Sequence, residues 1–264
     1  MDRYPFRLGT TSYIIPAGLV DNARYLTGKV QDMELVLFDL DDGTSNLPTV
    51  AEATELRQIG QEHDLSYTVH LPLDIRWGKE NGASHPSLVK ARKVIDCTAA
   101  IEPLAYVLHL DGRSERTLPP NHPNRLAWQA NAVKALQLLA GWVGNPTKLA
   151  VENVEGYPLD FAQAVLAQIT VSRCVDIGHL WVDGHQPQPY LAAALPHTQV
   201  IHLHGLAERD HQSLEHANSA ELRQLLRMLE RYTGVLTLEI FGEPDFESSV
   251  MMLESCWEKR WEND

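Results

Sequence analysis

The sequence lacks the features of a secreted or membrane-spanning protein. Its three cysteines, Cys97, Cys174 and Cys256, are odd in number and lie far apart without a CxxC spacing. Neither a disulfide framework nor a thiolate zinc site is therefore indicated, and we expect buried reduced thiols. The apolar stretches Leu35–Phe38 and Val133–Val143 are too short or too interrupted to cross a bilayer, and the first residues lack the apolar core of a signal peptide. We expect a soluble, cytoplasmic protein.

Basic residues are also scarce. Lys and Arg number 22 against 35 Asp and Glu, which gives a formal net charge of −13. Nonspecific nucleic-acid binding depends on clustered Lys and Arg that displace counterions, so this charge argues against a surface that follows a phosphate backbone. We therefore expect a small-molecule substrate, and neither a nucleic acid nor a membrane as a partner. The charge does not bear on the oligomeric state.

Short β-branched or aliphatic runs recur eight times, and each is followed by a longer segment with helical periodicity, as in a parallel sheet wrapped by helices. The predicted strands are Phe6–Thr11, Met33–Asp39, Ser66–Leu71, Ala105–Leu110, Lys148–Asn153, Arg173–Ile177, Gln199–His204 and Val235–Phe241. The predicted helices are Val20–Lys29, Thr49–His63, Pro86–Ala100, Pro123–Trp142, Leu159–Gln168, Pro189–Leu195, Ser219–Tyr232 and Pro244–Glu258. Eight units in 264 residues fit a closed barrel better than an open doubly wound sheet. The sequence thus predicts one α/β domain over residues 1–264, a (β/α)8 TIM barrel.

Six of the eight predicted strands end in a side chain that can bind a metal ion. These side chains are His70, His109, Glu152, Asp176, His202 with His204, and Glu239. The carboxyl ends of barrel strands share one rim, so residues far apart in sequence can converge there. A carboxylate after an apolar run is costly to desolvate, and no Lys or Arg recurs at matching strand ends, so a shared cation explains the acids best. Histidine and carboxylate ligands suit zinc or manganese, and the His-rich half favours zinc.

Other polar residues leave alternatives open. His202 and His204 are two positions apart and face the same side of a strand, so either could be the ligand from the seventh strand. Tyr13 could contact substrate or simply pack, and Arg113 and Arg116 could bind a phosphate or lie in a solvated loop. Six further histidines fall in helices or loops and are interpreted as surface residues: His63, His85, His122, His185, His197 and His216.

The strand-end histidines and acids resemble those of the xylose-isomerase-like barrel superfamily, in particular endonuclease IV of AP endonuclease family 2. The resemblance extends over nearly the whole chain. The resemblance implies one to three divalent ions, which would be zinc or manganese. The implied first set of ligands is His70, His109 and Glu152. The implied second set shares Glu152 and adds Asp176, Glu239 and either His204, slightly preferred, or His202. The implied third set is His179, Asp210 and His211. Asp210 and His211 are adjacent here, whereas the family separates the matching residues by one position. The changed spacing disfavours Asp210 as a ligand.

Three short motifs resemble a narrower bacterial family, the cobamide-remodelling phosphodiesterases: Arg7–Pro16, Glu34–Phe38 and Val69–Leu73. The resemblance implies hydrolysis of the phosphoribosyl linkage in the nucleotide loop of a cobamide, a molecule of the vitamin B12 class. The products would be cobinamide phosphate and an α-riboside. The resemblance also implies that Glu152, Asp176 and Glu239 act in catalysis, with Glu152 as a bridging ligand.

Three other functions remain as alternatives. Sugar isomerases and epimerases of the superfamily resemble this chain only at Glu152, Asp176, His204 and Glu239, and generally lack the histidines that match His70 and His109. An endonuclease acting on abasic DNA shares the ligands but fits poorly with the charge of −13. A non-catalytic binder would have no reason to keep nearly every hydrolytic ligand.

Overall fold

A computed structural model describes residues 3–262 and forms a closed barrel of eight parallel strands. The strands are β1 (Arg7–Thr11), β2 (Asp32–Val36), β3 (Ser66–His70), β4 (Ala105–Leu108), β5 (Leu149–Glu152), β6 (Ser172–Asp176), β7 (Thr198–Leu203) and β8 (Val235–Leu238). Each strand pairs with the next one in sequence, and β8 pairs with β1, which closes the barrel. The predicted (β/α)8 fold is confirmed, and every observed strand overlaps its predicted segment.

Nine α-helices connect the strands within residues 3–262. They are α1 (Leu19–Leu26), α2 (Val50–His63), α3 (Pro86–Thr98), α4 (Pro123–Val143), α5 (Gln163–Leu166), α6 (Ile177–Val182), α7 (Pro187–Ala194), α8 (Ser219–Met228) and α9 (Glu243–Glu258). The sequence analysis missed α6 and made α5 too long. Helix α6 has six residues and follows β6 directly, so no polar turn separates the two. Its N-cap is Asp176, whose carboxylate accepts a hydrogen bond of 2.6 Å from the His179 backbone N–H.

A layer of small apolar side chains inside the barrel supports the rim above it. It comprises Ala105, Val107, Ala150, Cys174 and Val200. Side chains alternate along a strand, so the residues two positions further on face the same way. Those residues are His109, Glu152, Asp176 and His202. Because side chains alternate along these four strands, the polar side chains lie directly above the layer of small apolar side chains.

The remaining expectations from composition concern cysteines and membrane spans. All three cysteines are free thiols; Cys174 and Cys256 are buried, as expected, and Cys97 is half-buried. Across residues 3–262, no helix combines the length and the apolar character needed to span a membrane.

Candidate metal centre

Histidines and acids from six strands meet at the carboxyl end of the barrel, in three groups whose ligand atoms lie within 4.8 Å of one another. The first group is His70, His109 and Glu152; the second is Glu152, Asp176, His202 and Glu239; the third is His179, His204, Asp210 and His211. Together they contain all ten residues that the sequence analysis named as metal ligands. Cys174 also lies within reach of Glu152 and His202, from the small apolar layer below.

Glu152 lies between the first and second groups. Its Oε2 atom is 3.1 Å from His109 Nε2 and 3.5 Å from His70 Nε2. Its Oε1 atom is 3.5 Å from His202 Nδ1 and 3.4 Å from His179 Nδ1. One carboxylate oxygen thus faces each side, which is the arrangement of a carboxylate able to bridge two cations.

Many polar atoms of these groups are buried and make no hydrogen bond of good geometry, although several lie within 3.5 Å of one another. They are both carboxylate oxygens of Glu152, Asp176 Oδ2, Glu239 Oε2, His109 Nε2, His202 Nδ1 and His204 Nε2. A buried polar atom without a partner costs about 1 to 3 kcal/mol, so seven in one place call for a common explanation. Cations bound among them would satisfy all seven, and the imidazole and carboxylate donors fit a divalent ion such as zinc.

Acceptors outside the groups orient three of the imidazoles. His109 Nδ1 is 3.1 Å from Asp74 Oδ1, His202 Nε2 is 3.0 Å from Glu34 Oε2, and His70 Nδ1 is 3.0 Å from the Leu71 carbonyl oxygen. In each ring this contact leaves the other nitrogen to face Glu152. Such outer partners fix the tautomer and the orientation of metal-binding histidines.

Sequence reasoning missed Glu34 and Asp74 as functional residues. Glu34 is completely buried in β2, and its only signal was an acid beginning the Glu34–Phe38 motif. Asp74 lies in the loop after β3, where an acidic residue is common and gives no sequence signal.

The second group contains His202 and not His204, which the sequence analysis slightly preferred there. His202 Nδ1 is 3.0 Å from Glu239 Oε2 and 3.7 Å from Asp176 Oδ2. His204 has Nδ1 at 3.1 Å from Asp210 Oδ1 and Nε2 at 3.4 Å from Asp176 Oδ1, and among the ion pairs of the described residues it contacts neither Glu239 nor Glu152. Both residues face the same side of the chain, but two positions along a strand correspond to about 7 Å. The two imidazoles therefore reach different groups.

Asp210 lies in the third group even though it is adjacent to His211. Adjacent side chains of an extended segment point in opposite directions. Here His211 has φ of 55°, in the left-handed region, which non-glycine residues seldom adopt. This backbone turn allows both side chains to face His204, so the altered spacing does not remove Asp210 from the group.

Burial and neighbouring charges shift the pKa values of these residues in opposite directions. Burial lowers the pKa of His109, but the carboxylates of Glu152 and Asp74 outweigh it, so the pKa lies well above its usual value. Burial raises the pKa of Glu152, but His109 and His202 outweigh it, so this pKa lies well below its usual value. Glu239 follows the same pattern, with His202 as the main opposing group. The histidines and the carboxylates therefore stabilise each other's charged forms.

Tyr13 and two arginines occupy the surroundings of the groups. The Tyr13 ring is 37% exposed, and its centroid is 6.3 Å from that of Phe241, which is 5.8 Å from the ring of His211. Arg113 pairs with Asp111 at 3.1 Å. Arg116 lies over the ring of Tyr157. Phe241 thus lies between Tyr13 and His211 of the third group, whereas both arginines have partners elsewhere.

The six histidines interpreted as surface residues lie outside the three groups. His63, His185, His197 and His216 are exposed. His85 and His122 are half-buried and cap helices: their Nδ1 atoms accept hydrogen bonds from the Ser87 and Asn124 backbone N–H groups.

Comparisons with known proteins agree with this architecture. Residues 30–256 match the family model described as the xylose isomerase-like TIM barrel. The chain belongs to this family. A search of curated proteins gives no match.

Solved structures of the same architecture include both epimerases and a nuclease. A D-tagatose 3-epimerase-like protein is 17% identical, with a TM-score of 0.71 over 96% of this chain and 97% of the other. Endonuclease IV from Thermus thermophilus is 17% identical, with a TM-score of 0.68 over 96% and 99%. The 3-keto-D-glucoside 4-epimerase from E. coli is 15% identical, with a TM-score of 0.66 over 95% and 98%. At these identities the likeness shows the barrel fold alone.

Proposed function

We propose that this member of the barrel family is a metal-dependent phosphodiesterase that acts on cobamides. The substrate bond is the phosphoribosyl linkage of the nucleotide loop, and the products are cobinamide phosphate and an α-riboside. The observation that carries the proposal is Glu152, whose two oxygens face two separate sets of ligands. An ion held by the first group would have a purpose in cleaving a phosphodiester, where more than one cation stabilises the attacking and leaving oxygens.

Glu152, Asp176 and Glu239 are the proposed catalytic residues. When bound, divalent ions, zinc or manganese, supply an activated hydroxide at neutral pH and neutralise the phosphoryl oxygens. The three carboxylates hold those ions and set where they face the substrate. All three are buried, so bulk water screens their charge little and each would attract a bound cation strongly.

Charge and motif favour a cobamide over DNA as the substrate. The net charge of −13 disfavours a long polyanion, whereas a cobamide presents a single phosphodiester. The three motifs that resemble the cobamide-remodelling phosphodiesterases support the same choice.

A ketose epimerase is the second candidate. The observation in its favour is that Glu152, Asp176, His202 and Glu239 form a complete ligand group without His70 and His109. Two of the structurally similar proteins named above are epimerases or similar to one. This candidate predicts interconversion of free ketoses with one ion per chain and no need for the first group.

Incubation of the metal-loaded protein with adenosylcobalamin tests the proposal directly. Chromatography with mass spectrometry should detect cobinamide phosphate and the α-riboside, and an EDTA-treated sample should form neither. The same preparation is assayed on D-fructose for ketose interconversion and on duplex DNA with an abasic site for nicking. Intact adenosylcobalamin together with activity on either other substrate would reject the cobamide proposal.

Loading the metal-free protein with zinc should release protons. The pKa values of His109 and His202 lie well above the ordinary value, so both rings hold a proton more tightly than a free imidazole, and a cation must displace it. The apparent affinity should therefore fall about tenfold per pH unit for each displaced proton as the pH falls. Titration calorimetry in buffers of different ionisation enthalpy counts these protons. Affinity that is independent of pH between about 6 and 8 would contradict the expectation.

Replacing Glu34 with Gln should weaken ion binding in the second group by about 10- to 100-fold. The amide can still accept a hydrogen bond from His202 Nε2, but it lacks the charge that strengthens this bond and makes the imidazole a better ligand. Competition with a metal-binding dye measures the affinity of each ion. The matched control is Glu62→Gln on the exposed side of α2. Affinities that match the control for every ion would remove Glu34 from this role.

A further inference from the structure

The third group has more ligands than the resemblance implies. The resemblance to endonuclease IV implies His179, Asp210 and His211 as ligands. His204 also contributes a ligand atom within 4.8 Å of the other three. Its Nδ1 atom is 3.1 Å from Asp210 Oδ1, and its Nε2 atom is buried, lacks a hydrogen-bond partner and is 3.4 Å from Asp176 Oδ1. The rings of His204 and His211 are stacked with centroids 4.3 Å apart, and the ring of His179 lies edge-on to both at 5.9 Å.

We propose that this third group is a closed, structural zinc site in which His204 is the fourth ligand. Structural zinc sites have four protein ligands in a tetrahedron, whereas catalytic sites have three and leave one position for water or substrate. Three imidazoles and one carboxylate complete the tetrahedral set. The ion bound there has no open position and does not contact the substrate. The inference goes beyond the proposed function, because it holds whichever substrate the first and second groups act on.

The backbone around His204 is built to bring these ligands together. Gly205 and Gln212 exchange two backbone hydrogen bonds, of 2.7 and 3.2 Å, which close the loop between them. His204 and His211 directly precede these two residues, so the bridge sets their side chains next to each other. A Cβ atom on Gly205 would lie 2.0 Å from the Ser213 carbonyl oxygen, so only glycine fits this turn.

A second glycine makes room for the ring of His204. Gly178 lies in α6, and a Cβ atom there would be 1.9 Å from His204 Cε1. Alanine is normally about 1 kcal/mol better than glycine inside a helix. Gly178→Ala should therefore displace His204 without removing a ligand or weakening the helix itself.

The proposed ion joins helix α6 to the loop that follows β7. His179 belongs to α6, whereas His204, Asp210 and His211 belong to the end of β7 and its loop. The loop 206–210 carries the exposed residues Ala207, Glu208 and Arg209, so few apolar contacts hold it in place. Removing the ion should loosen this loop and leave the barrel folded.

Metal content and trypsin cleavage after Arg209 test the site together. In zinc-loaded protein, His204→Ala and Gly178→Ala should each lose one ion per chain by mass spectrometry, and cleavage should accelerate at least about tenfold. The matched controls are His216→Ala, an exposed histidine of the following segment, and Gly141→Ala, where an added Cβ meets nothing within 4 Å. Circular dichroism verifies that each variant is folded. Ion content and cleavage equal to the controls would overturn the proposal.

Cobalt spectra test whether the site is closed. The visible spectrum of Co²⁺-loaded wild type minus that of His204→Ala isolates the third ion. This difference spectrum should have the intensity of tetrahedral cobalt and should not change when inorganic phosphate is added, since no ligand position is free. A shift of the difference spectrum with phosphate would show an open site and overturn the structural assignment. Neither reading depends on whether cobamides are hydrolysed, so failure of the proposed function is seen separately.

Discussion

Replacing Glu152 with Gln should reduce phosphodiester hydrolysis at least about 10³-fold, the range expected when the metal chemistry of a site is lost. Each oxygen of Glu152 faces one set of ligands, at 3.1 Å from His109 and 3.5 Å from His202. The amide keeps the shape of the side chain but loses the charge and one acceptor oxygen. Both neighbouring ions should therefore bind more weakly, and metal content should fall together with kcat.

The control for this variant is Glu62→Gln, which changes the same residue type on the exposed side of α2. The third group does not include Glu152, so its ion should remain in Glu152→Gln and shows that the barrel is intact. Turnover and ion content equal to those of the control would mean that Glu152 bridges nothing.

Replacing His109 with Ala should separate the two candidate functions most clearly. The second group does not include His109, so its ion should remain while the ion of the first group is lost. A phosphodiesterase that uses both ions should lose at least about 100-fold in kcat/KM. An epimerase that uses only the second group should keep nearly full activity.

The matched control for His109→Ala is His197→Ala, which removes an exposed histidine far from the groups. His70→Ala should reproduce the loss, because His70 belongs to the same group. Cobamide hydrolysis at the control rate in both variants would contradict the role of the first group.

The barrel and the strand-end members of the candidate metal centre could be predicted because strand patterning is local, whereas Asp210 and His211 rest on the family resemblance. Eight apolar runs, six of which end in a potential ligand, suffice to place those ligands on one rim, since parallel barrel strands share their carboxyl end. The positions of Asp176 and His179 also follow from local structure. The Asp176 carboxylate caps the first turn of α6 by accepting a hydrogen bond from the His179 backbone N–H.

Other parts of the centre depend on how far along its strand each side chain lies and on local backbone angles, and the sequence specifies neither. The choice between His202 and His204 depends on where β7 ends relative to its neighbours, which strand patterning leaves uncertain by one or two residues. The position of Asp210 depends on the left-handed backbone of His211, a conformation that histidine adopts only when its surroundings require it. Glu34 was hidden because a single acid within an apolar strand can equally well face solvent.

The measurement that tests the account most directly is the anomalous diffraction of crystals grown with zinc, collected above and below the zinc edge. We expect one peak among His70, His109 and Glu152, a second among Glu152, Asp176, His202 and Glu239, and a third enclosed by His179, His204, Asp210 and His211. Glu152 should contact the first two ions through different oxygens. A single ion, or none beside His70 and His109, would contradict the bridged centre on which the proposed hydrolysis depends.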